Sequence, residues 1–278
     1  MMARARERGL GITVACAAMV AIYLFPVYWM VATSLKPQKD VFAVPPKIVP
    51  WPPTFASYEK AVLDNDLVAH SLLNSAIIGI GTTLLTLVLA VPAAYGLARL
   101  KLRFTVGFSL FLLISQMLPS INLALPLFVL FSRAGLVNSY QGLIIANATV
   151  TVPFAIIVLR PFFLTVPGEV IEASRVDGST RFGAFLRIAL PLSTPGLITV
   201  SALSFLMAWG DFVFGLTLAT KENMQPVTVT LSQIITEFGT RWNELMAVST
   251  VVALPIVLFF VFLQRYIVGG LTSGSLKE

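Results

Sequence analysis

The feature that most constrains this chain is a series of long runs that contain no charged residue. The runs cover residues 9–35, 71–98, 104–132, 134–159, 188–210 and 245–264. Each can cross a hydrocarbon core, which requires roughly 20 residues of helix. Because a backbone in lipid must satisfy its own polar groups, such runs form helices, and their length excludes barrel strands. The sequence predicts an all-α integral membrane protein with six transmembrane helices.

The composition supports the same class. Hydrophobic residues make up 57% of the 278 residues and charged residues only 12%, too few to cover a soluble surface. We expect a single membrane domain over residues 1–278, with spans near 11–33, 71–97, 105–131, 138–160, 194–218 and 245–266. The net charge of +6 does not indicate nucleic acid binding, because the basic residues lie at the ends of the apolar runs.

The basic residues also predict the orientation. With the amino terminus in the cytoplasm, the outer side holds the smaller set, namely Lys36, Lys39, Lys47, Lys60, Arg133, Lys221 and Arg241. This distribution places both termini inside. The arginines before the first run would also suit a signal peptide, but the run is longer than a usual signal core and lacks a convincing cleavage site. We therefore expect a retained anchor.

Residues 166–192 are too charged to span a membrane and too apolar to form a free loop. Pro167 suits the first turn of a helix and Gly178 can supply the left-handed residue that ends it, which predicts a helix of about three turns. Four residues at spacings of three and four share one face of this helix: Glu169, Glu172, Ala173 and Val176. A short rod with such a face is suited to fitting a protein groove.

A second short helix is expected to follow, with Ser179 as its cap. The residues expected to face the bundle are Phe182, Phe185, Leu186 and Ala189, whereas Arg181 and Arg187 face water or lipid headgroups. Leu190 and Pro191 then turn the chain into the fifth span.

These residues form a recognisable pattern. Glu172-Ala173-Ser174, then Asp177-Gly178, and then Ile188 and Leu190-Pro191 closely resemble the EAA loop of bacterial ABC importer permeases, with Ser174 in place of the usual second alanine. Residues 33–37, 209–212 and 264–274 are similar to other segments of the same family. The branch that the chain most resembles is the carbohydrate importers of the maltose permease type, specifically the smaller partner of their unequal pair.

The resemblance implies a type I ABC importer permease fold in the bacterial cytoplasmic membrane. It also implies a complex with a second, non-identical permease, two ATPase subunits and an external solute-binding protein. In this family the EAA loop is a coupling helix that docks in a cleft of the ATPase. The matching coupling residues are Glu169, Glu172, Ala173, Ser174, Asp177 and Gly178, and the elbow after them includes Ile188, Leu190 and Pro191.

The sequence contains neither a nucleotide-binding loop nor a group of residues suited to catalysis or metal binding. No Gly-x-x-x-x-Gly-Lys-Ser/Thr phosphate loop occurs in it, so ATP and Mg²⁺ are expected on the partner subunits and no cofactor on this chain. Cys16 and His70 are the only residues of their types, and no catalytic or metal site is predicted.

Polar residues within the spans are candidates for a solute path, since sugar hydroxyls require donors and acceptors. They are Gln116, Asn122, Asn147 and Thr151. Hydrogen bonds between helices are the alternative role for this set. Asp211, within an apolar run, needs a partner or a position near the interface.

Two further segments have open alternatives. Trp242 and Asn243, in the loop 221–243, resemble the family's external contact with the binding protein, although Trp242 also fits an interfacial belt. The tail 272–278 either reaches between the ATPases, as in maltose-type systems, or is unattached.

The sequence leaves alternative functions to consider. A permease for glycerol phosphate, an amino acid or a peptide is one, but anionic solutes call for Arg or Lys within the spans, and the uncharged runs contain none. An ion-coupled secondary transporter is another, and it would work without partner subunits. A membrane enzyme is not supported, because no nucleophile with a base is evident.

Overall fold

The computed structural model describes residues 2–100, 103–234 and 241–272, with side chains described for 12–100, 103–234 and 241–261. Helices account for nearly all regular structure, and no strand occurs within these ranges. The helices are α1 (Met2–Ser34), α2 (Gln38–Val41), α3 (Ala56–Tyr58), α4 (Asp66–Arg99), α5 (Thr105–Ser115), α6 (Ser120–Ala134), α7 (Tyr140–Thr165), α8 (Gly168–Val176), α9 (Arg181–Ala184), α10 (Leu190–Leu192), α11 (Thr194–Trp209), α12 (Val213–Leu218), α13 (Val227–Ile234) and α14 (Trp242–Thr272).

Four of these helices are individually long and apolar enough to cross a membrane: Ile12–Ser34 of α1, α4, α7 and Trp242–Val261 of α14. Two bent pairs bring the number to 6 if each pair is one span. The pairs are α5 with α6, bent by 94°, and Arg181–Leu192 with α11, bent by 76°. The all-α membrane class predicted from the sequence is confirmed.

Two expected spans are interrupted. Instead of one helix over 105–131, α5 ends at Ser115 and α6 begins at Ser120, with Pro119 in an extended conformation at its start. A proline has no amide hydrogen to continue the preceding helix, so a break before it is physically reasonable. The expected span 194–218 similarly stops at Trp209 and resumes as α12 at Val213.

The chain divides into two compact units, residues 1–69 with 231–254, and residues 70–230 with 255–278. The second unit contains the main buried core, in which the carboxyl half of α4 packs with α7, α11 and the segment after α8. Buried Ala90, Ala94 and Ala155 lie in this core, where small side chains let helix backbones approach closely. A second cluster joins α6, α7 and α12 around Phe131, Leu143 and Phe214, among other residues.

In the first unit, the segment after α1 is a compact, proline-rich region. The buried ammonium of Lys36 lies 4.2 Å from the centre of the Trp29 ring, a cation–π contact. Burial lowers the pKa of Lys36, and the nearby Asp40 carboxylate partly offsets this effect. The hydroxyls of Ser34 and Tyr58 are 2.7 Å apart and connect the end of α1 to α3.

Candidate functional site

The helix α8 forms where the sequence predicts it. Pro167 precedes it in an extended conformation, and Glu169 lies in its first turn, where a carboxylate favours the positive end of the helix. Gly178 has a φ of +93°, and the amide of Ser179 donates to the Ser174 carbonyl at 2.9 Å. The left-handed glycine thus ends the helix after nine residues, Gly168–Val176.

The two sides of α8 have different environments. The predicted face of Glu169, Glu172, Ala173 and Val176 is exposed in this chain, and Val176 is 88% exposed. On another side, Ile171 packs against the main core. The helix is therefore packed against the core through Ile171, while its charged and apolar outer face is exposed in this chain. Asp177 and Gly178 are exposed at its carboxyl end, and Ser174 is half-buried.

The cap of the second short helix differs from the prediction. Thr180, not Ser179, caps α9, and its hydroxyl accepts a hydrogen bond from the Gly183 amide at 3.0 Å. Both residues are competent caps, so residue type alone does not choose between them. Ser179 instead closes α8 through its backbone, as described above, and this fixes α9 one residue later.

Two of the four residues expected to face the bundle do so. Phe185 and Ala189 are buried, whereas Phe182 is 67% exposed and Leu186 is 43% exposed, so the prediction is wrong for these two residues. For Leu186 the reason is local, because residues Phe185–Ala189 form a π-helical turn, which rotates the side chains relative to an α-helix; Phe182 lies before this turn, in α9.

An aromatic cluster connects this segment to the spanning helices. The Phe185 ring lies 4.7 Å from Tyr95 of α4 and 6.4 Å from Phe163 of α7, and the rings of Tyr95 and Phe163 are 5.5 Å apart. Such pairs contribute about 0.5–1.5 kcal/mol each beyond the burial of their surface. Three elements that are distant in sequence, α4, α7 and the segment after α8, are therefore in direct contact here.

The remaining elbow residues lie at the entry to α11. Ile188 is half-buried, Leu190 packs against the main core, and Pro191 is exposed at the start of the short helix α10. Ser193 follows, and the chain bends by 76° into α11. The proline restricts the backbone where the direction changes.

Arg99, the last residue of α4, was not singled out by the sequence beyond its charge. Its guanidinium donates to the Val166 carbonyl, which directly precedes α8. Arg160 of α7 donates to the Leu97 carbonyl at 3.4 Å. Arginines at span ends serve as tethers between helices here as well as topology signals, and the partner carbonyls could not be recognised from residue type.

Three of the four polar residues predicted along a solute path are hydrogen-bonded within the bundle. Gln116 donates to the Val150 carbonyl at 3.0 Å, and Asn147 donates to the Leu143 carbonyl at 3.0 Å. The hydroxyl of Thr151 is 2.6 Å from that of Thr86 on α4, in a buried pair. The side chain of Asn122 is exposed on α6.

Asp211 has the partners that its position requires. Its carboxylate accepts the amides of Gly215 at 3.1 Å and Phe214 at 3.4 Å, so it caps the start of α12. Its backbone carbonyl accepts the Thr228 hydroxyl at 2.6 Å. The carboxylate therefore organises the turn between α11 and α13.

The start of α14, in the first unit, is tied to the segment after α1. The Asn243 amide donates to the Ser57 hydroxyl at 2.9 Å, and Glu244 lies 3.2 Å from Lys60. Trp242 is 40% exposed. Residues 235–240 of the preceding loop and 273–278 of the tail lie outside the described structure.

A bundle of bent spans with an elbow helix held on one side and open on the other defines the membrane component of an importer. The chain matches the family described as binding-protein-dependent transport system inner membrane component over residues 68–273, and it belongs to that family. It is accordingly a multi-pass permease of the inner, cytoplasmic membrane.

The individual relatives are consistent with this assignment. The chain is 34% identical to the diacetylchitobiose uptake system permease protein DasC of Streptomyces coelicolor, over 91% of this chain and 92% of that protein. It is 36% identical to the trehalose transport system permease protein SugB of Mycobacterium tuberculosis, over 93% of this chain and 94% of that protein. A solved bacterial ABC transporter that imports the acidic polysaccharide alginate has the same fold, with a TM-score of 0.79, 20% identity and coverage of 94% of this chain and 96% of that one.

Proposed function

We propose that this chain moves a sugar or sugar derivative inward by alternating access, driven by separate ATPase subunits. The observation that carries the proposal is the exposed face of α8, which has the composition of a docking surface and a firm connection to the spans. A sugar substrate is supported by the names of relatives that transport diacetylchitobiose and trehalose, and by the six apolar runs of the sequence, whose interiors contain no Arg or Lys.

The coupling residues act as a mechanical contact. Glu169, Glu172, Ala173, Ser174, Asp177 and Gly178 meet a cleft of an ATPase, and ATP with Mg²⁺ is bound and hydrolysed there and not on this chain. Closure of the ATPases displaces α8, and Ile171 and the Phe185 cluster carry the displacement to α4 and α7. ATP binding thereby biases the equilibrium between inward-facing and outward-facing arrangements.

The complex contains a second, non-identical permease, two ATPases and an external solute-binding protein. Both termini of this chain are cytoplasmic, which places α8 on the ATPase side and Trp242 and Asn243 on the outer side. The exposed surface of Trp242 supports a contact with the binding protein there. Among the polar residues of the spans, Asn122 is the proposed solute contact, since Gln116, Asn147 and Thr151 have partners within the bundle.

The decisive experiment reverses one charge on the docking face. Glu172→Lys in the assembled transporter is expected to abolish uptake of labelled sugar and its ATP hydrolysis, while the amount of this subunit in the membrane stays normal. Glu172 is exposed, so the fold does not depend on it. Arg187→Glu, also an exposed reversal in the elbow, is the control and should transport normally.

A second measurement separates docking from folding. A cysteine at Ala173 should form a crosslink to a cysteine in the ATPase cleft, and the yield should change with nucleotide. Normal uptake by Glu172→Lys, or solute movement by the chain alone under an ion gradient, would refute the coupling proposal and favour a secondary transporter.

A further inference from the structure

A cavity of about 400 Å³ lies beside the last turn of α4 and shares Glu172 with the exposed face of α8. Its walls come from the end of α4, from α8 and from the first residue of α9. The lining residues are Tyr95, Arg99, Leu100, Gly168, Ile171, Glu172, Arg175 and Arg181. All belong to one compact unit of the chain.

The cavity has an excess of positive charge. Three guanidinium groups, those of Arg99, Arg175 and Arg181, share it with the single carboxylate of Glu172. Within the described part of the chain, none of the three arginines is within 4.0 Å of a carboxylate. The Nε–H of Arg99 is buried and has no hydrogen-bond partner among those residues. The excess of guanidinium groups over carboxylates among the lining residues makes the cavity electrostatically suited to an anion with several acceptor oxygens.

An apolar groove lies on the neighbouring face of the same helix. It has a volume of about 410 Å³ and is lined by Ala93, Gly96, Leu97, Phe104, Thr105 and Phe108. Leu100, which lines the cationic cavity, is 3.8 Å from the position of a Cβ built on Gly96 in the groove. The groove and the cavity therefore flank the final turns of a membrane-spanning helix, with the charged site beyond its apolar end.

We propose that the cavity holds the phosphate of an anionic phospholipid whose acyl chain lies along the groove. Arginine forks match phosphate geometry, and basic pockets at the ends of spanning helices bind acidic headgroups. The adjoining apolar groove favours a lipid over free phosphate. Glu172 lines both the cavity and the exposed face of α8, but an acidic side chain of the ATPase would leave the adjoining apolar groove unfilled, so the groove favours a lipid over the ATPase as well.

The bound lipid would brace α8 against α4. Arg99 comes from one helix, Arg175 from the other and Arg181 from the segment that follows, so one phosphate can bridge all three elements. The stiffness of the coupling segment then depends on anionic lipid. Binding itself does not depend on ATP hydrolysis, so it can be measured even if the transport proposal fails.

The test uses the full transporter complex, delipidated in detergent and titrated with phosphatidylglycerol or phosphatidylcholine of identical chains, with occupancy read by native mass spectrometry. Arg181→Gln is expected to weaken phosphatidylglycerol binding about fivefold, the contribution of one arginine near a charged membrane surface. It should leave phosphatidylcholine binding unchanged. Arg181→Lys should restore part of the affinity, and Arg187→Gln, which removes an equal charge outside the cavity, should have no effect.

Four outcomes would overturn the proposal. One is equal binding of the two lipids by the unaltered complex, and another is equal loss of phosphatidylglycerol in Arg181→Gln and Arg187→Gln. The third is occupancy by inorganic phosphate at millimolar concentration without selectivity for the anionic lipid, which would assign the site to the free ion. Loss of ATPase subunits from the Arg181→Gln complex with unchanged lipid binding would assign the surface to the ATPase and also count against the proposal.

Discussion

Gly178 fixes the length of α8 by a backbone conformation that other residues rarely adopt, with a φ of +93°. Gly178→Ala is therefore expected to cost about 1 kcal/mol and to fray the end of the helix. Sugar-stimulated ATP hydrolysis by the assembled transporter should fall, with the subunit still present in the membrane. Gly107→Ala is the matched control, because a Cβ at Gly107 meets nothing within 4 Å and its φ is ordinary. Equal activity of both variants would contradict the role of Gly178.

A substitution at Thr151 is expected to change the stability of the complex without changing its transport of sugar. Thr151→Val keeps the shape of the side chain but removes the buried hydroxyl pair with Thr86. The loss is expected to be about 1 kcal/mol, seen as a lower Tm of the detergent-solubilised complex with an unchanged KM for sugar. Thr149→Val is the control, because the hydroxyl it removes donates to the Ala146 carbonyl of the same helix, so the Tm should be unchanged. A raised KM in Thr151→Val would instead place Thr151 on the solute path.

Asn122 is expected to show the opposite behaviour. Its side chain is exposed on α6, so Asn122→Ala should leave the Tm unchanged. A lost hydrogen bond to a sugar hydroxyl should raise the KM about tenfold, since each 1.4 kcal/mol is a factor of ten. Uptake measured over a range of sugar concentrations tests this directly, and an unchanged KM would exclude Asn122 from the path.

Among the elements, the segment after α8 tests the proposed coupling, which requires the aromatic contacts of Phe185 to be intact. Phe185→Ala removes a buried ring that contacts Tyr95 and Phe163, a change that costs about 3–5 kcal/mol in a packed core. We expect ATP hydrolysis that no longer responds to sugar-loaded binding protein. Phe182→Ala removes a ring that is 67% exposed and should remain responsive. An unresponsive Phe182→Ala or a responsive Phe185→Ala would argue for another route of coupling.

Elements with strong local signals were predictable, and those shaped by distant contacts were not. Pro167 and Gly178 bound α8 as expected because a capping conformation is a property of a few adjacent residues. The 94° bend between α5 and α6 was not predicted, because the sequence analysis expected one span over 105–131. A proline permits a break, but the angle depends on how both halves pack, as in the hydrogen bond from Gln116 to α7.

At the scale of the whole molecule, the span in α1 is the least covered of the four spans that consist of a single helix. Of the most apolar stretch of its span, 0% is buried within this chain, compared with 50% for α7. Side chains such as Ile22 and Tyr23 are 70% and 77% exposed. Such a surface requires lipid or a partner. We expect co-expression with the second permease to raise the yield of monodisperse protein several-fold over this subunit alone, measured by size-exclusion chromatography. Equal yields would indicate that lipid alone covers α1.

The all-α class and the membrane location could be predicted from the spacing of charged residues alone. Every backbone within lipid must satisfy its own polar groups, so this rule does not depend on the particular protein. The candidate site followed only in part. The docking face of α8 was visible as a periodic pattern, but the cationic cavity beside it was not. Arg99, Arg175 and Arg181 are far apart in sequence or on different turns, and only the fold brings them to one wall.

The two-sided character of α8 has a consequence for how such transporters diversify. With the docking role that we propose, mutations at Ala173 or Val176 would adapt the protein to a different ATPase without disturbing Ile171 or the aromatic cluster around Phe185. The specificity for the ATPase and the specificity for the solute can thus evolve independently. Grafting only the exposed residues of α8 into a distant relative should give that relative the ATPase specificity of this chain and leave its transported solute unchanged.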